Sequence, residues 1–395
     1  MKPKFVAIVL ASMTAMAAAQ GFQAGAPSEP AVRVEVVRTP DGGIQPQVVV
    51  DAEGTLHLLY YKGDPKSGDL FYTKRGKGAT DFSGPLRVNS IEGSVVAIGT
   101  DRGGQVAIGK DGAVHVAWNG SAKASEKGSH ERSPMLYARK PAGADAFEPQ
   151  RNLMTASGVL DGGGSVAADS KGKVYVVWHG VPNGSKDRGE SARRVFVAIS
   201  HDDGATFGTE AAVSAPENGA CGCCGLKAGT DAEGNLLILY RAAERGVNRD
   251  THLLRSSDYG KTFSDARLDS WNLKSCPMTT ASISHHGAAT VVAWESHEDV
   301  RWARLNSEGT PGEICSAPES RTTRRRYPSA AVDSHGRVLL AWTEGMAWGA
   351  GGTVHWAAFE SSGKALAGAS GSAPDVPAWS LVSVFAVDGK FVVMR

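Results

Sequence analysis

Four of the five cysteines in the chain fall in two short clusters. Cys221-Gly222-Cys223-Cys224 is followed by Cys276-Pro277, and Cys315 stands apart. Three or four thiolates at such spacing can hold a soft ion such as copper or zinc, and Met278 could add a thioether. In an oxidising compartment the same sulfurs form disulfides instead. Adjacent Cys223 and Cys224 rarely bridge each other, so at least one bridge to Cys276 is expected, and an odd count leaves one thiol unpaired. Nothing else in the sequence requires a cofactor.

A second set of chemical residues follows a series of aromatics: Trp178-His179, Tyr240-Arg241, Trp294-Glu295 and Trp342-Thr343-Glu344. Arg249 and Arg326 lie near them in the chain. Charged forks beside aromatic faces suit a polar ligand, with Trp294 and Trp342 stacking on a sugar ring and His179, Arg241, Arg249 and Arg326 fixing hydroxyls or a carboxylate. Structural ion pairs also gather in this way. Glu295 and Glu344 occupy equivalent places and form a candidate acid/base pair, since glycoside cleavage uses two carboxylates at a set separation.

These residues recur because the chain repeats. An apolar run, a polar turn with Gly and a second alternating run occur seven times, as in VVVDAEGTLHLLYY (48–61) and SAAVDSHGRVLLAW (329–342). Equivalent residues Leu56, Val114, Val174, Leu236, Thr290, Val338 and Phe391 are 58, 60, 62, 54, 48 and 53 residues apart. That period suits one four-stranded blade of a β-propeller. No segment after the first 19 residues shows sustained helical spacing. The expectation is an all-β propeller with strands A to D in each blade, seven blades by hairpin count, with six as the alternative. The last repeat stops after strand B, so the alternating segment Ala31 to Arg38 should complete the last blade. In such a blade the A–B and C–D turns share one end, and the B–C and D–A loops share the other. Almost all the chemical residues above fall on the second end, whereas Cys315 falls in the fourth strand of blade five.

Two C–D turns match S-x-D-x-G-x-T-F: Ser200 to Phe207 with Asp202 and Gly204, and Ser256 to Phe263 with Asp258 and Gly260. In each, Asp can accept backbone N–H bonds across the turn, while Gly takes the awkward dihedral. This turn resembles the Asp-box (BNR) repeat of sialidase-like β-propellers, where the box is structural and lies away from the active face. The C-x-C-C, Arg249-Asp250, Trp271 and Cys276-Pro277 arrangement resembles an exported bacterial subset of those propellers. The resemblance implies a Tyr nucleophile activated by Glu, for which Tyr327 is the candidate. Sialidases also carry an Arg-Ile-Pro segment early in the chain, and none occurs here.

Lys2 and Lys4, the apolar stretch Phe5 to Met16 and Ala17-Ala18-Ala19 read as a secretory signal over 1–19. Residues 20–30 read as a mobile Gly/Ala/Pro stretch, and 31–395 as one domain. Secretion or delivery to the periplasm follows, with no membrane span in the mature chain. A net charge of +1 shows no basic excess for nucleic acid. The expected function is an exported propeller binding a carbohydrate or other small anionic ligand on its B–C/D–A loop face. A glycoside hydrolase and a non-catalytic scaffold around the cysteines are the alternatives.

Overall fold

The computed structural model describes residues 1, 31–99, 103–124, 133–318 and 324–395. The expected signal and mobile stretch, Met1 aside, lie outside the described residues. Val32–Arg395 forms one compact unit.

The inner hairpins follow from a single turn chemistry. In blades 1, 3, 4 and 6 the Asp of D-x-x-G holds the turn with its own carboxylate. Asp51 Oδ1 accepts from Thr55 N at 2.7 Å and Asp333 Oδ1 from Arg337 N at 2.8 Å; Asp169 and Asp231 do the same for Lys173 and Asn235. The turn Gly sits at positive φ, 82° at Gly54 and 76° at Gly336, which a β-carbon would oppose. Beyond the turn, β-branched and aromatic alternation carries the chain back as strand B.

Seven sheets result. Blade 1 runs Ile44–Val50, Leu56–Asp64, Ser67–Arg75 and Leu86–Arg87, each strand antiparallel to the next. Blades 2 to 6 repeat it, with strands A and B at Gly104–Ile108 and Val114–Asn119, Ser165–Ala168 and Val174–Pro182, Lys227–Thr230 and Leu236–Arg241, Ala281–His286 and Ala289–Ser296, and Arg325–Val332 and Val338–Glu344. Blade 3 gains a short extra strand, Ser157–Gly158, on the far end of its strand B. The architecture is a seven-bladed all-β propeller. Its last blade has three strands: Ser383–Val387, Lys390–Met394 and the N-terminal Val34–Val37, which pairs in parallel with the second (Val34 opposite Phe391, Val37 opposite Met394).

The core lies between blades rather than within them. Leu56, Leu58 and Tyr60 of blade 1 pack with Phe385, Val392 and Met394 of blade 7, which seals the ring. Val34 and Val36 pack on the cluster shared by blades 6 and 7. Each large apolar side chain buried there contributes roughly 1.5–3 kcal/mol. Deleting residues 1–38 should therefore lower the melting temperature by several degrees and promote aggregation from the bared edge. Calorimetry and light scattering check this; an unchanged melting profile would contradict closure by this strand.

Candidate functional site

On the B–C/D–A end, the side chains that follow the strand B aromatics turn inward and are consumed by the protein. Arg241 is buried, with Nε donating to Thr279 Oγ1 at 2.9 Å and its two terminal nitrogens donating to the carbonyls of Arg249 and Glu295. Its plane lies 5.3 Å from the centre of Trp271. Arg249 is buried and ion-paired with Glu190 at 2.7 Å. Glu295 is fully buried; its Oε1 accepts from Arg324 Nε at 3.0 Å, with Arg326 Nε 4.0 Å away. Burial pushes the Glu295 carboxyl up, against the pull of Arg324, Arg326 and Arg241. Glu344 accepts from Trp342 Nε1 at 3.0 Å and faces Arg325 at 3.5 Å. Both candidate carboxylates are therefore closed to solvent. Trp294 and Trp342 are also buried, Trp294 bonding Asp269 through its indole nitrogen. Tyr327 is buried at a bulge of blade 6 strand A, at φ 54°, under the Arg326 guanidinium 4.4 Å from its ring centre.

These groups converge on the cysteine segments. Arg324 and Arg326 both donate to Pro277 O, and Arg326 to Met278 O at 2.8 Å. Thr279, held by Arg241, donates to Cys224 Sγ through N (3.4 Å) and Oγ1 (3.3 Å). His179 is buried with Nε2 2.7 Å from Cys224 O. Burial, then the Arg193 charge, push its pKa down to about 4, so the ring is neutral at pH 7, and Nε2 carries the proton it donates. Gly222 N donates to Glu190 at 3.1 Å. A side chain at Gly222 would meet the Arg193 guanidinium at 2.9 Å, which explains the glycine of C-G-C-C. The loop-face charges thus act as a clamp between blades.

At its focus four sulfurs meet. Cys223 and Cys276 are joined as a disulfide, with Cα atoms 6.9 Å apart, so Cys276 is bridged to the first cluster. Cys221 and Cys224 are buried thiols 3.3 Å apart. The sulfur contact with Cys224, then burial, push the Cys221 thiol up. Burial would raise Cys224 as well, but Cys221, Arg241 and Thr279 bring it down. All four sulfurs lie within 4.8 Å of one another, a cluster able to hold a metal ion. Cys315 lies on the outer strand of blade 5, in Cys315–Ser316.

The two S-x-D-x-G-x-T-F turns, between strands C and D, lie on the opposite end. Asp202 and Asp258 each accept from the Thr four residues on, through N and Oγ1, and these bonds hold both carboxyls down at about 2.

One set of channel residues escapes a reading based on loops. Pairing places Gln47, Gln105, Ser165, Lys227, Ser282, Ser329 and Ser383 at one equivalent strand A position, one per blade, around the axis. Ser282, Ser329 and Ser383 hydroxyls accept the N–H of the next strand A, at Ala330, Val384 and Val48. Lys227 Nζ donates to Gln47 Oε1 at 3.1 Å and to Gln105 Oε1. Burial pulls its pKa down to about 8, and no carboxylate pairs with it among the described residues. A cavity of about 60 Å³ on the loop side of this belt is lined by Gln47, Gln105, Lys227, Ser282, Tyr327 and Ser383, among others. A wider one of about 540 Å³ opens toward the A–B turns. Comparing the seven strand A segments position by position would have exposed Lys227 as the belt's one charge.

The fold is that of sialidase-like propellers. The Hadza microbial sialidase Hz136 aligns over 84% of this chain and 74% of its own, at TM-score 0.51 and 14% identity. A protein of unknown function from Dyadobacter fermentans aligns over 83% and 96%, at TM-score 0.53 and 19% identity. An α-L-arabinanase from Penicillium chrysogenum, complexed with arabinobiose, aligns over 79% and 93%, at TM-score 0.47 and 12% identity. No protein-family model and no curated protein matches the chain. At these identities the likeness is one of fold.

The clamp makes a stability prediction. Glu295→Ala leaves the Arg324 and Arg326 charges beside an empty buried site, so urea denaturation should show a loss of roughly 3–5 kcal/mol. A loss below about 1 kcal/mol would mean that the pair is solvated rather than buried.

Proposed function

We propose that the chain is an exported, non-hydrolytic propeller that binds an acidic carbohydrate or similar small anion at the loop-side mouth of its channel. The observation that carries this reading is Lys227, a half-buried ammonium in the channel whose hydrogen-bond partners among the described residues are two neutral amides. Holding an ammonium without a counter-charge is costly, and an anion supplies that charge. The amide oxygens of Gln47 and Gln105 face Lys227, so their NH2 groups remain to donate elsewhere. The serine hydroxyls accept from backbone and keep their protons to give. A cavity of about 60 Å³ has room for a carboxylate-sized group, with the rest of a sugar lying on the rim. Its lining contains no carboxylate among the described residues, which favours binding over glycoside cleavage. The loop-face set of His179, Arg241, Arg249 and Arg326 then shapes the rim through the clamp.

Calorimetry on the mature protein should show binding of N-acetylneuraminic or galacturonic acid, and none of the neutral sugars. Lys227→Met should weaken it roughly 10- to 100-fold, the worth of one charge-assisted bond. Affinity should hold below pH 7 and fall as pH rises through about 8, where the ammonium loses its proton. Binding indifferent to both the substitution and pH would sink the assignment. Fluorogenic sialosides should not turn over; turnover abolished by Glu344→Gln would restore the hydrolase reading.

A further inference from the structure

We propose that Cys221, Cys223, Cys224 and Cys276, when all four are reduced, form a tetrathiolate site for a tetrahedral d10 cation, Zn(II) foremost. The argument is independent of the channel and begins with distances. A Zn–S bond of about 2.3 Å sets tetrahedral S···S edges of roughly 3.8 Å. Cys221 Sγ lies 3.7 Å from Cys223 Sγ, 3.7 Å from Cys276 Sγ and 3.3 Å from Cys224 Sγ. One sulfur equidistant from both halves of a disulfide, with a fourth close by, has the placement of a tetrahedron's vertex. All four sulfurs already lie within 4.8 Å of one another, while the bonded Cys223–Cys276 edge must open. Their Cα separation of 6.9 Å is already at the long end for a bridged pair, so the backbone accommodates that opening.

The surroundings suit the charge. Four thiolates around a divalent ion carry net −2. Arg241 and Arg193 are both buried within one residue's reach of the cluster, Arg241 through Thr279 and Arg193 against Gly222. The two Thr279 contacts to Cys224 Sγ are the donors to a ligand sulfur expected around a metal thiolate. Cys221 and Cys224 sit deep, whereas Cys276 is exposed, which leaves an entry path from the loop face.

Binding is not a redox step: four thiols and M(II) give the tetrathiolate complex and four protons. From the disulfide form, a dithiol reductant first transfers two electrons and two protons to the Cys223–Cys276 bond, giving two thiols and its own disulfide. Zinc and the bridge are thus alternative occupants of one set of sulfurs.

The test uses the mature chain, reduced with a dithiol, freed of it without air and titrated with Co(II). One equivalent should bind, with the intense visible bands of tetrahedral thiolate coordination, and one equivalent of Zn(II) should bleach them. The oxidised chain should bind none. Cys276→Ser removes an exposed ligand and should weaken Co(II) at least tenfold, whereas Cys315→Ser should leave the spectrum unchanged. Circular dichroism checks that each protein is folded. A folded, fully reduced chain that gives no tetrahedral cobalt spectrum overturns the proposal. So does Cys276→Ser binding as tightly as the parent, or a native mass four hydrogens short that a dithiol cannot restore.

Discussion

A ring of sheets holds only if its last sheet meets its first. Every inter-blade core in this protein needs a neighbour on both sides, and the sheet that would otherwise have a bare edge is blade 7. Parallel pairing of Val34–Val37 with Lys390–Met394 removes that edge. The Thr39 amide and hydroxyl, both bonded to Arg395 O, fix the junction. With the ring shut, strand A of each blade is held at one radius, and the polar belt at Lys227 becomes a closed circle of seven side chains. The loop-face clamp depends on the same closure, since its bonds run from one blade to the next.

The clamp shows how a charged surface can be turned inward. Buried guanidiniums are costly alone, but here Arg241, Arg324 and Arg326 each reach at least one backbone carbonyl. Arg241, Arg324 and Arg326 together bind the three-residue stretch Pro277 to Thr279, Arg241 also reaches the carbonyl of Glu295 across the blade, and they set where Cys276 lies. Electrostatics on this face therefore builds a scaffold first. The free charge left for a small ligand sits lower, inside the channel.

Much of this was legible in the sequence, and the limits have physical causes. The blade count and the D-x-x-G turns were readable because turn residues and period-2 alternation are local. Cys276 could be placed near Cys221, Cys223 and Cys224 because both segments precede strand A in adjacent repeats. Glu295 and Arg241 could be assigned to the loop end by strand order alone. Their direction could not, because a long side chain chooses between solvent and carbonyls about 50 residues away, as Arg324 does with Pro277. Trp294 and Trp342 looked like sugar platforms and are core residues instead, since an aromatic that ends an inner strand meets the next blade before it meets solvent. Lys227 lies in a strand, so no turn or loop signal in the sequence points to it.

The junction in blade 7 also has a temporal meaning. The bond from Thr39 Oγ1 to Arg395 O spans 356 residues of chain. Contacts so distant in sequence form slowly, because the whole intervening loop must be gathered first. During synthesis the partner of the Val34–Val37 strand emerges long after it. The emerging polypeptide therefore cannot close its ring before the Lys390–Met394 strand has been made.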